Sequence, residues 1–346
     1  MHPPATILVP GTARNLLGDP PPGILPVFYD RTRPRLSHRI LRKVGIRDTG
    51  EALDASVRVE GPVGALDRVV ALWLAPEVYL PPTLVAAWLD RLPAVRWVYS
   101  QVAGTDHLDL SLFRNRGIMV SNSGSLVSAS VAEMALACVC AHVKRLPAHF
   151  AAQRRRQWWS LPAADMAGQT VGIIGTGNIG AHLATLCRAL DMHVIGASRN
   201  PRRFEQDPGP YHQVVSLDTD LHVLLGAADH VVVAVPLAAE TRGLIGRDAL
   251  AAMRPGASLI AVTRGLVVNE DALCHALATA QIGAAYVDRP TRIPLPKWSR
   301  LYRTPNLVLT HYSAANSPRR LERACARFLA GLQLLREGGQ PPDRVV

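Results

Sequence analysis

Lysine is almost missing from this chain. Only three of its 346 residues are lysine, so the formal net charge of +11 rests on arginine. A basic balance can mark nucleic-acid binding. Here the arginines are scattered, apart from Arg154-Arg155-Arg156 and Arg319-Arg320, and no helix-turn-helix, zinc-finger or RNA-recognition pattern accompanies them. Nucleic acid is therefore not an expected partner, although phosphate-bearing ligands are drawn to such a surface. Cysteine is also scarce. Cys138, Cys140, Cys187, Cys274 and Cys325 form no CxxC pair and no zinc-ligand spacing, and four of them fall in helical stretches. Buried free thiols in a reducing cytoplasm, and no metal, are expected. No run of about 18 uncharged apolar residues appears, which argues against a membrane span. Met1-His2-Pro3-Pro4 lacks the charged-then-apolar order of a secretory signal.

What is present is a repeated unit: a short apolar strand, a turn, then an amphipathic stretch. That alternation is the mark of parallel βαβ architecture, so the fold class is α/β. Strands are expected at Thr6–Val9, Leu25–Tyr29, Val69–Leu74, Val95–Tyr99 and Ile118–Ser121, with helices at Leu84–Leu92 and Leu110–Arg116. Between them, Asp30–Leu66 is rich in Arg, Gly and Pro and reads as an irregular insertion. A long apolar helix is expected over Ser128–Phe150. The basic segment at Arg154, with Trp158-Trp159, reads as a connection between domains. Strand-helix alternation restarts at Thr170 and runs to about Asn306, and a last helix covers about Pro318–Glu337. A chain that completes a second domain and then returns implies a split first domain, residues 1–126 with 310–346, around a second domain at 127–309.

The sharpest motif follows the strand that begins at Thr170. Gly175-Thr-Gly177-Asn178-Ile179-Gly180 places GxGxxG between a buried strand and a helix. Gly175 permits the tight turn, Gly177 lets a pyrophosphate approach the backbone, and Gly180 lets helix and strand pack closely. The helix N-terminus then offers unpaired N–H groups to the phosphates. In this context the motif predicts a dinucleotide. At the end of the next strand a carboxylate would favour NAD by binding ribose hydroxyls. Ser198 stands there instead, followed by Arg199. A hydroxyl beside a guanidinium suits a 2′-phosphate, so NADP is preferred over NAD.

Further stretches accumulate in order: Ala103-Gly104-Thr105-Asp106-His107-Leu108-Asp109, Asn122-Ser-Gly-Ser with Val131-Ala132-Glu133, and Val235-Pro236-Leu237 through Thr241-Arg242-Gly243. Thr263-Arg264-Gly265 and Pro305-Asn306 through Thr310-His311 complete them. From about Val95 onward the chain resembles the D-2-hydroxyacid dehydrogenases. The resemblance implies a flavodoxin-like substrate domain clasping a Rossmann-type cofactor domain, a cleft between them and a homodimer. It implies that backbone N–H groups at Ala103 and Gly104 hold a substrate carboxylate, and that Arg264 binds the same carboxylate and polarises the adjacent carbonyl. The cofactor would also meet Asn178, Ile179, Val235, Pro236, Thr241 and Thr263, with Asp288 on the nicotinamide carboxamide.

One part of the family pattern is missing. Its general acid is a histidine tuned by an upstream glutamate, a pair that poises a proton near neutral pH. In this chain Tyr312 falls at the histidine position, with His311 just before it, and Ile293 stands for the glutamate. Three readings are open. His311 acts after a one-residue shift, which needs a bulge or turn at Thr310; Tyr312 donates the proton; or no donor is needed, as with an imine that arrives protonated. The expected activity is NADP-dependent hydride transfer with a small 2-oxo/2-hydroxy, or related imino, carboxylate. A catalytically silent or repurposed nicotinamide-cofactor-binding protein is the alternative.

Overall fold

The computed structural model describes residues 5–17, 24–31, 52–54, 57–60, 66–74, 82–102, 104–105 and 108–346. Two compact units emerge, Met1–Leu126 with Pro318–Val346, and Val127–Ser317.

The first unit is built on seven strands: β1 (Ala5–Pro10), β2 (Ile24–Arg31), β3 (Ala52–Asp54), β4 (Val57–Glu60), β5 (Val69–Leu74), β6 (Trp97–Ser100) and β7 (Met119–Asn122). Their order is β3-β4-β2-β1-β5-β6-β7. The five strands from β2 to β7 pair in parallel, and β3-β4 adds an antiparallel edge. The order β2-β1-β5-β6-β7 is that of a flavodoxin-like sheet. Because side chains alternate along a strand, each face builds its own core. Leu8, Leu72, Val98 and Val120 pack with Trp88 and Phe113 of the helices Pro82–Asp90 and Leu110–Asn115. Ile7, Trp73, Trp97 and Tyr99 pack with Ala324, Cys325, Phe328 and Leu332 of the C-terminal helix Arg320–Arg336. The sequence expectation for Asp30–Leu66 needs correction, since β-branched Val57 and Val59 support strand β4, which pairs with β2. Residues 32–51, 55–56 and 61–65 of that stretch lie outside the described residues.

In the second unit, strands β8 (Thr170–Ile174), β9 (His193–Ser198), β10 (Gln213–Ser216), β11 (His230–Val233), β12 (Ser258–Ala261), β13 (Ala284–Val287) and β14 (Leu307–Leu309) form one sheet. Its order is β10-β9-β8-β11-β12-β13-β14, every pairing parallel. The expected helix Ser128–Phe150 is two helices, Gly124–Val143 and Leu146–Arg154. Arg145 takes a left-handed conformation between them, and Pro147, which has no N–H to give, sits in the first turn of the second helix. Gly124–Val143 has the length and hydropathy of a membrane span despite Glu133. Its Ala132, Ala135, Cys138 and Val139 are buried in this unit's core, as in a core helix. Trp158 and Trp159 lie within the second unit's chain and are exposed, so they do not connect two domains. All five cysteines, not four, are helical, and all are free thiols.

His230 opens β11, at the N-terminal edge of the sheet, and is 1% exposed. Its Nδ1 pairs with Ser258 Oγ at 2.8 Å and its Nε2 with Gln169 Oε1 at 2.6 Å. Burial, with His142 nearby, depresses its pKa from 6.5 to about 4. The unfolded chain therefore takes a proton that the folded chain refuses between those values. Stability from this group is whole above pH 6.5 and falls as pH drops toward 4, by about 3 kcal/mol across the window. Thermal unfolding followed from pH 7 to 4 is expected to show that loss, and His230→Gln to flatten it. A second expectation concerns Gly331, where a Cβ would lie 2.4 Å from Trp97 Cη2. Gly331→Ala is expected to cost about 1–3 kcal/mol by overpacking, measured by urea unfolding.

Candidate active site

One registered row of residues crosses the second sheet near its C-terminal edge: Ala197, Ile174, Val233, Ala261, Val287 and Leu309. Each is followed within two residues by a position that the sequence marks out. Ser198 follows Ala197, Gly175 follows Ile174, Val235 comes after Val233, Thr263 after Ala261, Asp288 after Val287, and Thr310 after Leu309. Strand order, though not strand direction, reverses between β8 and β11, and open α/β sheets bind ligands at such a switch point, outside the carboxyl ends of the strands.

The glycines explain how the backbone turns there. Gly175 has φ +109°, and an added Cβ would meet Ala234 C and O at 3.0 Å. A Cβ on Gly180 would lie 2.0 Å from Gly175 O, so helix and turn touch backbone to backbone. Gly177 heads the helix Asn178–Arg188, with no side chain capping it. The first amides of an eleven-residue helix are thus left to a ligand, and this cradle fits a dinucleotide pyrophosphate. Asn178 is exposed, while Ile179 packs beside Val127, Val131 and Ala314. At the end of β9, Ser198 Oγ accepts from the Asn200 N–H at 3.2 Å, and Arg199 is exposed.

Loops after β11 and β12 are tied to one another. Thr241 is 4% exposed; its hydroxyl donates to the Pro236 carbonyl at 2.6 Å and accepts from Ala238 N–H at 2.8 Å. The Thr263 hydroxyl donates to the Val235 carbonyl at 2.5 Å. These two threonines hold the Val235-Pro236 turn in shape. Arg264 follows, half-buried at the head of the short turn Gly265–Val267, and lines a small cavity with Glu270, Arg289 and Leu301. Gly265 permits this, because a Cβ there would lie 2.3 Å from Thr291 N. Glu270 Oε1 also accepts from the Thr291 N–H, at 2.6 Å.

Asp288, 6% exposed, organises the loop beyond β14. Its Oδ1 accepts from the Thr310 hydroxyl at 2.5 Å, Ser313 N–H at 2.9 Å and Ala314 N–H at 3.0 Å. Its carbonyl accepts from Tyr312 N–H at 2.6 Å. The backbone turns sharply here, with His311 at φ +53° and Tyr312 at φ +61°. Both side chains are exposed, Tyr312 at 40%. Residues 310–317 consequently stay with the second unit, with Ala314 buried against Val127 and Val131. Ile293 is 47% exposed and brings no carboxylate to that position. Sequence reasoning passed over Arg289, whose guanidinium carbon lies 4.7 Å from the Tyr312 ring centroid. Its position directly after a strand-end aspartate was the available signal. Cys138 is no nucleophile, since burial, helped by the Asp288 charge, pushes its thiol up to about 12. Among the described residues no group of three His, Cys, Asp or Glu is placed to hold a metal.

In the first unit, Gly104 is half-buried after β6, and Asp109 caps the following helix through Ser111 and Leu112 N–H. Ala103 lies outside the described residues.

Residues 136–314 match the family model for the D-isomer specific 2-hydroxyacid dehydrogenase, NAD binding domain. The chain is 32% identical over 248 residues to a glyoxylate/hydroxypyruvate reductase B of Pectobacterium atrosepticum, covering 69% of this chain and 76% of that protein. It is 29% identical over 269 residues to a glyoxylate reductase of Aeropyrum pernix, covering 74% and 78%. Among solved structures, a D-isomer specific 2-hydroxyacid dehydrogenase from Xanthobacter autotrophicus Py2, in complex with NADPH and MES, superposes with a TM-score of 0.77. It is 26% identical, over 99% of this chain and 98% of that one. With the nucleotide-binding unit matched almost from end to end, the chain belongs to the D-isomer specific 2-hydroxyacid dehydrogenase family and is an NAD(P)-dependent oxidoreductase.

Proposed function

We propose that the chain is an NADP-dependent reductase of small 2-oxo carboxylates, with Arg264 binding the carboxylate and Tyr312 delivering the proton. The observation that carries this reading is the loop 310–314. Asp288 fixes its backbone through the N–H groups of Tyr312, Ser313 and Ala314, and of the two ring side chains on it, His311 and Tyr312, the phenol is the one that a described side chain, Arg289, engages. Residues 1–126 with 310–346 would form the substrate domain by chain order, although Tyr312 itself packs with the nucleotide-binding unit.

The residues from Ser198 to Asp288 would hold a nicotinamide cofactor, which would supply a hydride. Gly175, Gly177, Asn178, Ile179 and Gly180 would hold its pyrophosphate, Val235, Pro236, Thr241 and Thr263 would shape the wall beside it, and Ser198 with Arg199 would receive a 2′-phosphate. Asp288 has spent Oδ1 on the loop, so Oδ2 is the oxygen that serves the carboxamide. Arg264, with paired donors, grips the substrate carboxylate and draws electron density from the neighbouring carbonyl. Tyr312 gives its phenolic proton to the carbonyl oxygen as that oxygen becomes a hydroxyl, then regains one from water, to which it is open. An imino acid would enter already protonated and would not need that step. No described side chain engages the His311 ring, whereas Tyr312 is engaged by Arg289.

We further propose a homodimer joined through the helix Leu146–Arg154 and the segment after it. Leu146, Phe150, Trp158 and Trp159 are all exposed there, an apolar surface that a second copy would cover.

Two measurements test the chemistry. Arg199→Glu is expected to weaken NADPH about 10–100-fold in a fluorescence titration while leaving NADH within about threefold; equal loss for both would remove the 2′-phosphate assignment. Tyr312→Phe is expected to lower kcat for 2-oxo acids by about 10²–10⁴ with NADPH affinity intact, while His311→Ala stays within about fivefold. The reverse pattern would make His311 the donor. Tight NADPH binding without turnover of any 2-oxo or imino acid would instead identify a silent cofactor-binding protein.

A further inference from the structure

Arg289 has an unusual setting for a cation. Its Nη1 is buried and, among the described residues, has no hydrogen-bond partner. Leaving such a buried donor unpaired forfeits the hydration it would have in water. Glu270, the acid lining the same small cavity, already gives Oε1 to the Thr291 N–H. The guanidinium instead faces the Tyr312 ring, 4.7 Å from its centroid.

Tyr312 needs such a neighbour. The Asp288 carboxylate and carbonyl hold its backbone and that of the residues around it, but those bonds reach no atom of the ring. A side chain 40% exposed on a left-handed residue would otherwise turn among rotamers in water. Arg289 comes from the residue next to Asp288, so one strand end sets both the loop's backbone and the ring's plane. The contact also has the right sign for chemistry. As a phenol gives up its proton, negative charge spreads into the ring, and a cation over the ring face is attracted more strongly at that moment than before it.

We propose that Arg289 is a positioning residue that seats the Tyr312 ring for proton delivery and favours the charge developing on it. This rests on Tyr312 being the donor. The test is a double-mutant cycle with NADPH and the best 2-oxo acid. Arg289→Met keeps much of the side chain's length and loses the cation; Arg289→Lys keeps a charge. Arg289→Met is expected to lower kcat about 10–100-fold, with KM and NADPH affinity within about threefold. Arg289→Lys should return to within about fivefold of the parent. On a Tyr312→Phe background, Arg289→Met should cost less than about threefold more. Nitration of Tyr312 by tetranitromethane, mapped by mass spectrometry, should proceed several times more slowly in Arg289→Met, because the reagent attacks the phenolate that the cation favours, a readout independent of turnover. Full loss repeated on the Tyr312→Phe background, or equal loss of NADPH affinity in both Arg289 variants, would overturn the proposal and leave Tyr312 as donor. Unchanged kcat in Tyr312→Phe would overturn the donor assignment itself.

Discussion

Every strand of the second sheet runs the same way, and the site depends on that parallel register. Hydrogen bonding aligns Ala197, Ile174, Val233, Ala261, Val287 and Leu309 in one row, so six separate loops must leave the sheet along one edge. An antiparallel strand anywhere in the row would send its loop to the far edge, where His230 is buried. Chemistry-bearing residues as distant in sequence as Gly175 and Tyr312 share that edge because the ladder leaves them no alternative.

Within this frame, small contacts decide the details. The 2.0 Å distance that a Gly180 Cβ would make to Gly175 O shows a turn with no room for any other residue, and the uncapped helix behind it leaves its amides available. Threonines 241 and 263 do comparable work in a different way, each hydroxyl pinning a carbonyl of the Val235-Pro236 turn. Asp288 concentrates three donors on one oxygen, and a loop with two successive left-handed residues is held by them.

Much of this was legible in residue order, for identifiable reasons. Val69–Leu74 is a continuous apolar run and appears as a strand with those limits, and GxGxxG sits between strand and helix as its glycines require. The break at Arg145 was hidden because apolar periodicity continues across it, and only Pro147 marked a new start. Strands β3 and β4 escaped notice because an edge hairpin among Gly, Pro and Arg residues has too few alternations to stand out. Arg289 was missed for another reason: arginine is so common in this chain that one more beside an aspartate carries no signal until its ring partner, 23 residues later, is known.

The contact at Gly265 bears on how such a protein can diversify. Where a Cβ would fall 2.3 Å from Thr291 N, the strand-end turn carrying Arg264 and the start of the segment after Asp288 are fused backbone to backbone. The stretch beyond Thr291, where Arg292, Ile293 and Trp298 are exposed, is free of that contact. A lineage can rewrite that stretch, and exchange a glutamate position for isoleucine, while the arginine beside it keeps its place. Tolerance and constraint are separated by a single missing methyl group.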